Sequence, residues 1–139
     1  MLKIKLSSNR TFLSNGIKFF TRSEYSHVDF VLPNGRFLGS VPGKGVIIHD
    51  LKEDTEHIYQ LDIPERKILE FAVDQIGKSY DYTGILGFAF NRNWQEDDSW
   101  FCSELVAAAI NQEKPLFNET AYRITPRDIA IHPQFRRIR

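Results

Sequence analysis

Two closely spaced turn signals limit what this chain can fold into. Pro33-Asn34-Gly35 and Pro42-Gly43-Lys44-Gly45 bracket the short segment 36–40. Asn-Gly tolerates the positive φ that tight hairpins need, so residues 26–32 and 36–40 read as neighbouring antiparallel strands. Residues 45–49 and 57–63 read as two more strands. The opening Met1-Leu2-Lys3-Ile4-Lys5-Leu6 alternates apolar and basic residues, which predicts a half-exposed strand over 2–6. A helical turn or two is expected within 14–21, around Ile17, Phe19 and Phe20.

Beyond Pro64 the periodicity changes. Leu69, Ala72, Val73 and Ile76 fall at i, i+3, i+4 and i+7, one face of a helix that Gly77 can cap. A second short helix is expected over 81–90, weakened by Gly84 and Gly87. A third runs from about Phe101 to Gln112, and a last short one starts at Thr125-Pro126, with Thr125 as N-cap. Residues 91–99 read as a polar surface loop. The predicted class is α+β, an antiparallel sheet packed against helices, in one domain spanning 1–139.

The chain has 139 residues, 42% of them hydrophobic and 26% charged, which suits a folded domain with its own core. Eighteen basic residues balance eighteen acidic ones, so no net field points to nucleic acid or to an anionic membrane. Arg136, Arg137 and Arg139 read as a solvated tail. One cysteine excludes an internal disulfide and a cysteine-rich zinc site. No cofactor or metal centre is expected. No stretch is apolar enough to cross a bilayer and none resembles a signal peptide, so a cytoplasmic location is expected.

The lone thiol, Cys102, lies between polar loop residues and a helical pattern, which places it in the first turn of a helix. Free backbone N–H groups and the helix dipole there favour a thiolate nucleophile and can also hold an oxyanion. The competing role is that of a small apolar core residue. Four histidines are available as its base. His132 suits the surface or packing. His57 opens a strand after a charged loop and is expected to be solvated. His49 precedes Asp50, but adjacent strand residues point to opposite faces. His27 starts a strand, and Asp29, two residues on, shares its face and can orient the imidazole. The plain alternative for His27 is a polar residue at a sheet edge.

Taken in order, residues 26–32 (SHVDFVL), 35–39 (GRFLG), Gly45-Val46, 77–81 (GKSYD) and 100–106 (WFCSELV) resemble the circularly permuted papain-like hydrolases. This is the YaeF/YiiX-like branch of the NlpC-type superfamily, which includes phage and prophage versions. The resemblance runs from about Ile17 to about Asp128. It implies a papain-like fold, Cys102 as nucleophile and His27 as general base. Relatives often carry a polar third residue on the strand after the histidine, where this chain has Leu38-Gly39-Ser40. Asp29 or Ser40 then takes that role, or the pair works alone. Tyr80-Asp81 looks like a family feature beside the site. Its structural alternative is an N-cap at Asp81 and a packed aromatic at Tyr80.

The activity so implied is hydrolysis of a peptide or peptidoglycan-type amide through an acyl-enzyme. An alternative is acyl transfer or thioester cleavage on lipids, with Phe88, Phe90, Trp94 and Trp100 lining an apolar channel or simply packing in the core. A third is a phage-associated structural module with a weak site.

Overall fold

The structure, a computed structural model, describes residues 1–21, 23–82, 99–117 and 124–139. The elements in chain order are β1 (Leu2–Ser8), α1 (Phe12–Thr21), β2 (His27–Val31), β3 (Phe37–Val41), β4 (Gly45–His49), β5 (Thr55–Leu61), α2 (Arg66–Asp74), β6 (Ser79–Tyr80), β7 (Ser99–Trp100), α3 (Cys102–Ile110), α4 (Pro126–Ile131) and β8 (Phe135–Arg137).

Six strands form one sheet in the order β4-β3-β2-β1-β5-β8, and every neighbouring pair is antiparallel. This is the α+β architecture that the turn signals and the later helical periodicity imply. The turn at Asn34-Gly35 joins β2 to β3: Gly35 takes φ +83°, its N–H donates to the Leu32 carbonyl at 2.9 Å, and the Leu32 N–H donates to the Arg36 carbonyl at 2.8 Å. β6 and β7 form a separate parallel pair beside the outer strand β4.

One face of the sheet carries the apolar core. Leu2, Ile4, Leu6, Val28, Phe30, Leu38 and Val46 are all fully buried with Leu105, Val106 and Ala109 of α3. α3 packs against β2, β3 and α2. The other face is also covered. Lys5, Ser7, Asp29 and His49 lie on it, and each is buried. The opening strand is therefore central and, apart from Lys3, buried on both faces rather than half-exposed. Alternation of apolar and basic residues mimics an outer strand because a buried lysine is rare enough not to be expected.

Three further expectations are corrected. Helix α2 buries Ile68 and Ala72, while Val73 and Ile76 are exposed, so the inward stripe is rotated from the one read in the sequence. The arginine-rich C-terminus is not a free tail: Arg136 and Arg137 pair with Gln60 and Tyr59 as part of β8. Ser99, assigned to a loop, lies in β7. The helix expected over 81–90 and the loop residues 91–98 fall almost wholly outside the described residues, as do Phe88, Phe90 and Trp94. The last helix begins as expected, with a capping box in which Thr125 and Asp128 satisfy each other's backbone N–H groups. No helix among the described residues is long and apolar enough to cross a membrane.

Gly45 joins the main sheet to the small one. It takes φ +76°, and a Cβ there would run into the Lys78 carbonyl. The close approach lets Val46 N–H donate to Lys78 O at 2.9 Å and Gly77 N–H donate to Val46 O at 3.1 Å. Gly45→Ala is expected to lower stability by about 1–3 kcal/mol through strain and backbone displacement. A urea midpoint equal to that of the parent protein would show that the approach is not required.

Candidate active site

Cys102 is the first residue of α3, with Phe101 as an extended N-cap (φ −79°, ψ 149°). The N–H groups of Cys102, Ser103 and Glu104 therefore have no acceptor within the helix, and the first such bond runs from Leu105 N–H to Phe101 O at 3.0 Å. Ser40 fixes this helix start. Its hydroxyl donates to the Trp100 carbonyl at 2.5 Å, tying β3 to the residue two before the cysteine. Ser40 is thus placed away from the orienting role it shared with Asp29 in the sequence reading. It lies one residue from Gly39 and so on the opposite face of β3 from the imidazole's partner.

His27 opens β2 at a partly buried position. Its Nε2 donates to Asp29 Oδ1 at 2.7 Å. The Cys102 sulfur faces the carbonyl of Ser26, the residue before His27, at 3.9 Å, and the thiol is near enough to the imidazole to favour its protonated form. With Nε2 committed to Asp29, Nδ1 is the ring nitrogen left for the sulfur. The structure thus joins His27 to Asp29 and sets the Cys102 sulfur against the residue before His27. Burial alone would push the imidazole toward its neutral form. The Asp29 charge and hydrogen bond, followed by the contact with Cys102, outweigh that, and His27 is held well above the usual histidine range.

Asp29 is fully buried. Burial would raise its pKa, but the charge and hydrogen bond of His27, then those of His49, hold it well below the usual carboxylate range. Its room comes from Gly39, in the stretch 38–40 where the resemblance leads one to expect a third polar residue. A Cβ built on Gly39 would run into Asp29 Oδ1. The absent side chain that looked like a missing orienting group is the space that the Asp29 carboxylate fills.

Two further groups on this carboxylate were missed from sequence. His49 Nε2 donates to Asp29 Oδ1 at 3.2 Å, and the Lys5 ammonium lies 3.5 Å from Oδ2. Lys5 also donates to Leu51 O at 3.2 Å and sits 3.6 Å from Glu56 and 3.7 Å from the Phe37 ring centroid. His49 was set aside because Asp50 points the other way. That alternation is present, with Asp50 paired outward to Arg36, and it is what turns His49 inward. A usable signal was the register: β3 pairs with β4 so that Phe37 opposes His49, on the face that carries Gly39 and Asp29. One ligand atom each from His27, Asp29 and His49 lie within 4.8 Å of one another, the dimensions of an ion site.

The remaining histidines are structural. His57, expected in solvent, bonds Tyr25 Oη through Nδ1 at 2.8 Å. His132 packs between Phe117 and Phe135. Trp100 stacks edge-on against Phe71 and donates to Gln75, a core role. Tyr80 is a packed aromatic against Tyr82 and Phe101, and Asp81 is fully buried, its N–H donating to Trp100 O at 3.0 Å. Glu104 is buried in the first turn of α3, and burial, reinforced by Asp81, pushes its carboxyl up to about 8.

A cavity of about 300 Å³ reaches His27 and His49 and is walled in part by Ser14, Ile17, Ser26 and Leu51. Cys102 is fully buried and is not among the residues that line it.

Gly39→Ala is expected to displace the Asp29 carboxylate and cost about 1–3 kcal/mol. Retention of the parent stability and of the His27–Asp29 bond, read by histidine NMR, would overturn this. A second expectation concerns pH. Glu104 binds its proton more tightly folded than unfolded, so stability falls as pH rises from 4.5 toward about 8, and Glu104→Gln should flatten that fall. His27 adds to the fall above 6.5, since its folded value is raised. Asp29, whose folded value is lowered, contributes stability that is lost as pH drops below 3.8. Melting temperature across pH checks all three signs.

No family model matches the chain, and no curated protein matches it. Among solved structures it resembles the metalloprotein yiiX from Escherichia coli O157:H7 (DUF1105), with a TM-score of 0.74, 17% sequence identity and coverage of 99% of this chain and 95% of that one. At that identity the likeness is one of fold, and the fold of this chain is the yiiX fold.

Proposed function

We propose that this protein is a papain-like cysteine hydrolase that cleaves an amide bond through an acyl-enzyme. The observation that carries the reading is the helix-start thiol of Cys102, its sulfur 3.9 Å from the carbonyl of Ser26, next in sequence to a histidine whose Nε2 is held by a buried carboxylate. In this mechanism the Cys102 thiolate attacks the carbonyl carbon, and the carbonyl π electrons move to oxygen. The oxyanion faces the free N–H groups of the first turn. Collapse breaks the C–N bond, and His27 Nδ1–H gives its proton to the leaving amine. Nδ1 then takes a proton from water, whose oxygen attacks the thioester; the C–S bond breaks, releasing the acid and restoring the Cys102 thiolate beside the protonated imidazole. Asp29 keeps Nε2–H oriented throughout and stabilises the imidazolium. The resemblance to the permuted papain-like hydrolases supports a peptide or peptidoglycan-type substrate. Lipid acyl transfer has less support, because Trp100, one of the four aromatics named for a channel, packs edge-on against Phe71 and donates to Gln75.

The burial of the sulfur favours a second reading, in which Cys102 fills the core of a non-catalytic structural module. Alkylation by iodoacetamide, a small probe suited to a buried sulfur, separates the two. A catalytic pair should react below pH 8, where an isolated thiol with a pKa of about 8.5 slows, and His27→Ala should remove that low-pH reactivity. Asp29→Asn should lower the pH at which His27 loses its proton and so narrow the reactive window from its upper end, because the Asp29 charge is what raises His27. Ser40→Ala should leave the pH at which reactivity changes in place and lower only the rate, because Ser40 holds the helix start and not the imidazole. Identical profiles for the parent protein and His27→Ala would favour the structural module.

A further inference from the structure

The donor atoms of His27, Asp29 and His49 have the spacing of an ion site, and the fold neighbour is a metalloprotein. A His₂–carboxylate set suits a divalent transition metal in type and number. The hydrogen bonds around it do not. Leu51 N–H donates to His49 Nδ1 at 3.1 Å. A ring nitrogen that accepts a hydrogen bond carries no proton, so the proton of a neutral His49 is on Nε2, the atom that faces Asp29. Metal-bound histidines show the reverse arrangement: the coordinating nitrogen is bare, and the other donates to a carbonyl or carboxylate. Coordination through His49 Nε2 would move the proton to Nδ1 and set it against the Leu51 N–H, donor to donor. A second feature acts in the same direction. The Lys5 ammonium lies 3.5 Å from Asp29 Oδ2 and is itself held by Leu51 O and Glu56, so the carboxylate already faces a fixed cation.

We infer that Leu51, His49 and Lys5 form a donor clamp on Asp29, and that this cluster holds protons rather than a metal ion. Leu51 fixes the tautomer of His49, His49 donates to Oδ1, and the Lys5 ammonium faces Oδ2 as an ion pair at 3.5 Å, with no hydrogen bond to that oxygen. One Oδ1 lone pair then remains for His27 Nε2–H. His49 and Lys5 are positioning residues that act on His27 through Asp29. The kinetic consequence rests on the proposed pairing of Cys102 with His27, whereas the tautomer and the absence of metal affinity do not.

The test uses the full chain. Nitrogen NMR of the labelled protein should show His49 protonated at Nε2 with a bare Nδ1, and titration of zinc against a chromophoric chelator should show no site that depends on His49. A ring protonated at Nδ1, or one zinc per chain lost in His49→Gln, would overturn the clamp. In the alkylation assay, His49→Ala should lose roughly tenfold or more of the low-pH reactivity of Cys102, and His49→Gln, whose amide N–H can reach Asp29, should recover most of it. Loss of reactivity in both variants to the same degree would also overturn the clamp. If the parent protein shows no low-pH reactivity, the hydrolase reading falls, and the His49 tautomer still decides the clamp. The NMR measurement needs only the parent protein, and the zinc titration adds only His49→Gln, so neither depends on whether His49→Ala folds.

Discussion

A carboxylate with no access to water sets the terms for the rest of this structure. An ionised Asp29 buried between two strands and a loop would cost several kcal/mol if left unpaired. Every group around it answers that cost. Lys5 stands opposite it on β1, His49 reaches it from β4, and His27 is two residues away on its own strand. Gly39 on β3 supplies room where any side chain would collide. Four strands thus converge on one side chain. Their registers are fixed by polar pairing on this face as firmly as by apolar packing on the other, since a slip of one residue would exchange the two faces.

The same convergence sets where the Cys102 sulfur and the His27 imidazole lie relative to each other. His27 is on β2, and the start of the cysteine helix is tied to the adjacent β3 through Ser40 and the Trp100 carbonyl. The path from sulfur to imidazole therefore crosses two neighbouring strands and a single hydrogen bond. A short route through rigid elements is what a reactive pair needs if its geometry is to be kept within a few tenths of an ångström.

Much of this was legible in the sequence. The hairpin turns, the antiparallel order they force, the helix that begins at the cysteine and the shared face of His27 and Asp29 all follow from local rules of period and turn chemistry. The hidden parts depend on relations across strands. Nothing local distinguishes a buried Lys5 from a solvated one, because its burial comes from Asp29 opposite it and from the loop at Leu51. His49 was judged by its neighbour in sequence instead of its neighbour across the sheet. Gly39 read as a gap because a missing side chain carries no sign of what fills its space. The two-residue strands β6 and β7 and the three-residue β8 are too short to show any period.

β8 also bears on how copies of this chain meet. A sheet edge exposes a row of unpaired backbone groups that invites another strand. Without the C-terminal segment, that edge would be β5, seven residues long. The final residues cover it with a strand of only three, two of them exposed arginines. At the far side of the sheet, Gly77 and Lys78 occupy backbone groups of β4 at Val46. One edge is thus short and like-charged and the other is capped, so the sheet resists growth by strand addition, and removal of the terminal arginine segment would turn a closed boundary into a sticky one.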